Sequence, residues 1–335
     1  MIHPGKKYHQ HKYYSCRSIY NLAMELEKGD KSDRAPYVRY LLSQTRGTMP
    51  GEWSVAGSKF LASDVLGDGD LPPYEDSWRT KFDKEWLRGC LGTDRASDPS
   101  THAFERDAYW LASSRDEDTL MVPVYDMANH SNDPALLNTL SYKPETAGDA
   151  FLFVASRDIG GGEQVYNSYN RCNACSDARY GDDCETYSFA RTPDLFVRFG
   201  FVEEYPQNWE FDPHNDDSSD DDDDDDETEF NFCLHRDAES GELEARWGDR
   251  EDDKPDAADV RWLRKQLGRL RGLSDRKERL EAQLVKAAGD GEEADGDKMS
   301  RWEWESAWRY HNALSHAIAA AIRSVATEDA HDGEL

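Results

Sequence analysis

Residues 120–131 read LMVPVYDMANHS, an apolar, β-branched run that ends in Asp126, Asn129, His130 and Ser131, four side chains that can each hydrogen-bond a ligand. Taken alone, such a cluster at a strand end serves equally well as a turn or helix cap. Tyr169 closes a second strand-like stretch, EQVYNSYN; alone it reads as a core tyrosine with a satisfied hydroxyl. Arg115, at the end of WLASSR, reads as a surface ion pair or as a ligand contact. Phe199 and Phe201 in FGFV are core residues on any reading. Cys172 and Cys175 have CxxC spacing, with Cys184 further on. Three thiolates hold zinc only with a fourth ligand from elsewhere, so no metal is expected there.

These residues need elements to place them. From residue 120 the segments LMVPVYD, AFLFVASRD and EQVYNSYN are short and rich in β-branched or aromatic residues, with GGGE as a turn between the last two. They predict a small β domain on which DLFVRFGFVEEYPQNW packs back. Upstream, Ile19, Leu22, Ala23 and Leu26 mark one helix and Val38, Leu41 and Leu42 another, with a break at residues 28–32. Residues 51–115 continue a Trp-rich helical pattern through the loop GDGDLPPYED. Downstream, EFNFCLHRD reads as an isolated strand. Apolar stripes over residues 260–284 and 304–325 then predict two long amphipathic helices forming a hairpin. The fold class is α+β, with a helical region at 1–115, a β core at 116–210, an acidic linker at 211–230 and a helical region at 231–335.

Forty basic against 69 acidic residues give a net charge of −29. Twelve of the acids fall in residues 212–229, a tract that cannot pack and is expected to be disordered. A field of this sign repels phosphate backbones and attracts cationic partners, which argues against direct nucleic-acid binding and permits a basic protein such as a histone; a salt-adapted surface would look similar. The longest apolar stretches, FLFVA and AIAAAI, are far below the roughly 20 residues of a spanning helix. Without a signal core, and with six cysteines in so long a chain, an intracellular, reducing compartment is expected, cytoplasmic or nuclear.

Three separated pieces now line up: Val122-Pro123, Asp126 and Asn129-His130-Ser131; then Gly162-Glu163-Gln164-Val165 with Ser168-Tyr169-Asn170; then Phe199-Gly200-Phe201-Val202. In this order the chain resembles the SET-domain methyltransferases, in the branch typified by the Rubisco large-subunit lysine methyltransferase. SDRAPYVRYLL, Trp53 and WLASSR resemble that branch's helical insert. The resemblance spans roughly residues 15–210 and implies a pseudoknotted SET fold, S-adenosyl-L-methionine as cofactor and a protein lysine as methyl acceptor. It makes Tyr169 the catalytic tyrosine. Asn129, His130, Arg115 and Phe201 become cofactor contacts, and Asp126 and Phe199 substrate contacts. The C-terminal helices loosely resemble the branch's substrate-binding domain.

Methyl transfer to lysine is an in-line displacement by a neutral amine. Because lysine has a pKa of about 10.4 in water, the site must favour that form by excluding solvent. Positioning and electrostatics do the rest. The resemblance has gaps. The family's opening strand pair with its Gly-x-Gly turn has no counterpart, since Gly67-Asp68-Gly69 lies in the helical region and reads as a flexible loop. A truncated upstream end is the expected cause. Asn170 replaces a glycine, and the cysteine-bearing insertion follows it. Two other readings stay open: an inactive SET-like module binding basic proteins such as histones, and transfer to histidine, which relatives in this branch can perform.

Overall fold

The structure, a computed structural model, describes residues 16–74, 77–92, 103–117, 120–133, 135–142, 150–169, 190–213, 230–237, 239–247, 254–285 and 298–332. The expectations for the acidic tract, for Asn170 and for Cys172, Cys175 and Cys184 fall outside these residues. The chain forms two compact units: Met1–Glu52 with Ser77–Ala128, and Trp53–Asp76 with Asn129–Leu335.

In the first unit, α1 (Cys16–Lys28) and α2 (Ala35–Leu42) are separated by a 3-10 turn at Gly29–Lys31, where the sequence broke its apolar period. Helix α1 buries Cys16, Ile19, Ala23 and Leu26, a stripe at helical spacing. Burying Ile19 and Leu26 contributes about 1.5–3 kcal/mol each. The stripe shares a core with Phe82, Trp86, Tyr109 and Trp110. Trp86 can be fully buried because its Nε1 donates to Glu105 at 3.3 Å.

Cys16 and Cys90 are disulfide-bonded, and Cys233 of the second unit is disulfide-bonded as well. The reducing compartment expected from six cysteines in so long a chain does not account for these bonds.

The run at 120–131 is not one strand. Its first strand is confined to Leu120–Met121 (β2), paired antiparallel with Asp116–Glu117 (β1). Pro123 cannot donate to a ladder, and Val124 takes φ +79°, a left-handed value that a β-branched residue rarely adopts. A 3-10 turn at Tyr125–Met127 follows.

In the second unit, α3 (Val55–Lys59) continues as a π-helix through Phe60–Val65. Asn129–His130 (β3) pairs in parallel with Tyr166–Asn167 (β6), and Thr139–Tyr142 (β4) pairs antiparallel with Leu152–Ala155 (β5). The first unit contributes two further helices: α4 (Ser77–Lys81), which runs into a π-helix at Phe82–Cys90, and α5 (Ala103–Arg115). Back in the second unit, α6 (Thr192–Phe199) ends at Gly200, whose φ of +80° forms the left-handed cap.

EFNFCLHRD is not isolated. As β8 (Phe230–Arg236) it is the central strand between β7 (Gln207–Phe211) and β9 (Leu243–Trp247). The expected long helix over 260–284 breaks after Ser274 into α7 (Ala257–Ser274) and α8 (Lys277–Leu284), and α8 buries nothing. Helix α9 (Arg301–Asp332) packs on α7 and also on β9, so its apolar face serves a sheet as well as a helix partner. Among the described residues no helix is long and apolar enough to cross a membrane.

Candidate active site

In the second unit, β6 is held on both edges. On one, Asn129 N–H donates to Val165 O and Ser131 N–H to Asn167 O, both at 3.1 Å. On the other, the buried amide of Asn138 imitates a strand: its Oδ1 accepts Tyr166 N–H at 2.8 Å and its Nδ2 donates to Gln164 O at 2.8 Å. The GGGE turn that feeds β6 closes through Glu163 N–H to Gly160 O at 3.0 Å. The Arg157 guanidinium and the Gly160 N–H hold the Glu163 carboxyl down to about 2. These contacts fix where β6 ends, and Tyr169 follows two residues later.

Tyr169 donates its backbone N–H to Nδ1 of His130 at 2.9 Å. His130 Nε2 lies 3.1 Å from Glu203, whose carboxylate also accepts from Asn132 at 2.8 Å and Thr192 at 2.7 Å. Both the His130 and the Glu203 side chains are buried, at 4% and 0% exposure. The Tyr169 ring lies 5.2 Å from His130, 4.7 Å from Phe199 and 6.2 Å from Phe201, centroid to centroid. Gly200 ends α6 and turns the chain, so that Phe199 and Phe201 flank the same ring. Arg198 stands 5.2 Å over Phe199, so one face of this cluster already carries a cation.

In the first unit, α5 delivers Arg115 and the 3-10 turn delivers Asp126. Arg115 donates to Asp126 O at 2.9 Å, to the Tyr40 hydroxyl at 3.0 Å and to Gln44 at 2.8 Å. Its Nη1 is 3.8 Å from the Asp126 carboxylate, which also accepts the Tyr37 hydroxyl at 2.6 Å. Burial raises the Asp126 pKa above the usual carboxylate value, with Tyr37 and Arg115 pulling the other way. Asp126 Oδ1 and Arg115 Nε are buried with no hydrogen-bond partner among the described residues.

The family model of the SET domain matches residues 10–170, just under half of the chain. Residues 10–170 carry a SET domain. This supports the SET-domain methyltransferase family and, in general, a protein-lysine methyltransferase type of function. No curated protein and no solved structure matches the chain.

The SET match closes one residue beyond Tyr169, so Phe199, Phe201 and Glu203 lie outside it. Within the second unit the structure brings together His130, Tyr169, Phe199 and Phe201, while Asn129 enters through its backbone and leaves its side chain exposed. Within the first unit it brings together Arg115 and Asp126. Sequence reasoning missed Glu203, Asn132 and Thr192, and also Tyr37, Tyr40 and Gln44. Asn132 follows the Asn-His-Ser motif and Glu203 follows FGFV directly, but an acid at that position reads as surface by default. Tyr37 and Tyr40 stand at i,i+3 on α2, a spacing that looks like an ordinary polar face. Gly67-Asp68-Gly69 forms a turn with φ values of +72°, +58° and +107°. The Arg269 guanidinium lies where a Cβ on Gly67 would come within 3.0 Å.

Proposed function

We propose that the protein is an S-adenosyl-L-methionine-dependent protein-lysine N-methyltransferase of the Rubisco-methyltransferase-like branch, acting on a basic protein substrate such as a histone. The observation that carries this reading is the seating of Tyr169: its backbone is pinned to a buried histidine and its ring is walled by Phe199 and Phe201. When bound, the cofactor supplies a methyl group on a sulfonium. The residues present fit such a group. Aromatic faces accept a cation without neutralising it, as Arg198 over Phe199 illustrates.

In this reading Tyr169 orients the acceptor amine, while Phe199 and Phe201 shed water so that the neutral amine is favoured. Asn129 offers an exposed amide and His130 its backbone to the cofactor. By the resemblance, Arg115 is a cofactor contact and Asp126 a substrate contact; within the first unit the two lie 3.8 Å apart as an ion pair. The net charge of −29 supports a Lys/Arg-rich partner, and the same charge favours the second reading, an inactive module that only binds such proteins.

The test is transfer of a labelled methyl from the cofactor to a panel of basic proteins, with the product lysine located by mass spectrometry. Wild type should label, and Tyr169→Phe should lose about 10²-fold or more in kcat. Absence of cofactor binding by calorimetry, together with salt-sensitive histone binding and no transfer, would overturn the enzyme reading in favour of the binding module.

A further inference from the structure

Glu203 has no place in the roles assigned so far, yet its side chain is as buried as any in the second unit. Its Oε2 receives His130 Nε2 and Asn132 Nδ2, and its Oε1 receives the Thr192 hydroxyl. Each of those partners is itself fixed. Asn132 Oδ1 accepts the Ser168 hydroxyl at 2.8 Å, and Thr192 Oγ1 accepts the Asn208 N–H at 3.0 Å. The Glu203 backbone carbonyl accepts from Gln207 Nε2 at 2.8 Å. A carboxylate so oriented can only accept, so the imidazole nitrogen facing it must carry the proton.

We propose that Glu203 is a positioning residue. It holds His130 in the tautomer protonated at Nε2, which leaves Nδ1 as the acceptor for the Tyr169 backbone N–H and so seats the tyrosine among its aromatic neighbours. The chain of contacts runs from Glu203, in the segment after α6, through an imidazole read at both nitrogens, to the residue that faces the acceptor amine. If the proton moved to Nδ1, two N–H groups would oppose each other across 2.9 Å, and Tyr169 would have to shift. The catalytic consequence rests on the methyltransferase reading; the tautomer itself does not.

The test uses the full chain labelled with ¹⁵N-histidine. At pH 7.5 the long-range ¹H–¹⁵N correlations of His130 should show a protonated Nε2 and an unprotonated Nδ1; a protonated Nδ1 overturns the proposal. Glu203→Ala should populate the other tautomer. It should also lower kcat about tenfold or more, with KM for the protein substrate changed much less. Glu203→Gln keeps an acceptor for Nε2–H and should restore the wild-type tautomer and most of kcat. A folded Glu203→Ala protein with the wild-type tautomer and kcat sinks the proposal. If it does not fold, a Glu203→Gln protein that loses the tautomer does the same. A wild-type protein with no methyl transfer would end the enzyme reading, while the spectrum would still decide the role of Glu203.

Discussion

The hydroxyl of Tyr37 donates to Oδ2 of Asp126 at 2.6 Å, linking residues 89 positions apart inside the first unit. The Asp126 side chain has no exposure, and its other oxygen has no partner among the described residues. Tyr37 thus hydrogen-bonds a carboxylate already disfavoured by burial, with the Arg115 guanidinium 3.8 Å away, and its own pKa is pushed up in return. Tyr37→Phe should destabilise the fold by about 1–3 kcal/mol and raise the Asp126 pKa further. Denaturant melts and a carboxyl ¹³C titration of the variant check both. An unchanged Asp126 titration would show that the hydrogen bond is not formed in solution.

The pH dependence of stability carries a sign that the histidines of α9 set. His311 lies on α9 with Nε2 3.0 Å from Leu270 O, and burial lowers its pKa against the partial support of that carbonyl and Asn312; Arg269 and Lys277 lower it further. Burial lowers His316 as well. Below the ordinary histidine value of 6.5 the unfolded chain binds protons that the folded chain refuses, so stability falls as pH drops through that window. Asp126 acts with the opposite sign: its folded pKa is raised, so stability from this group grows as pH falls toward that value. Unfolding free energies at pH 7.5 and 5.5 should show a loss, and His311→Gln should flatten it. An equal slope in the variant would exclude His311 as the source.

Glu303 closes two helices at once. At α9 it forms a capping box, with Ser300 N–H donating to Oε2 at 2.6 Å and Glu303 N–H to Ser300 Oγ at 3.2 Å. Its carboxylate also accepts the Ser54 N–H and, at 3.1 Å, the Ser54 hydroxyl, and Ser54 in turn caps α3. Glu303→Ala should therefore cost about 2–4 kcal/mol, against about 1 kcal/mol for Ser54→Ala. Because the two share one contact, the double variant should lose less than the two losses added. Strict additivity in thermal melts would show that the helices are capped independently.

How much of this was legible beforehand follows from the range of each interaction. The break between α1 and α2 is local, and the apolar period with Gly29 announces it. The GGGE turn and the grouping of His130, Tyr169, Phe199 and Phe201 were also readable, since each lay in a recognisable stretch. The partners of β8 were not: β7 pairs with it across residues 212–229, and although β9 follows after a short turn, neither pairing leaves a periodic mark on EFNFCLHRD. The break in the run at 120–131 was hidden for a different reason. Apolar composition suggests a strand, but Pro123 and the left-handed Val124 interrupt the ladder. Glu203 and Asp126 were hardest to place, since a buried carboxylate is defined by donors that come from distant parts of the chain.

Gly67 offers the sharpest local test. Its φ of +72° is left-handed, and a Cβ there would meet the Arg269 guanidinium at 3.0 Å. That guanidinium donates to Asp64 O at 2.8 Å and Val65 O at 2.9 Å, satisfying carbonyls at the end of the π-helix, and burial lowers its pKa. Gly47 has nearly the same φ, +73°, with nothing within 4 Å of its would-be Cβ. Both alanine variants bear the backbone strain of about 1 kcal/mol. Only Gly67→Ala also pushes the guanidinium off its carbonyls, so it should cost about 2–3 kcal/mol in all. Melts of the two variants under one condition isolate the difference. Equal losses would mean that Arg269 moves aside freely and does not brace the turn.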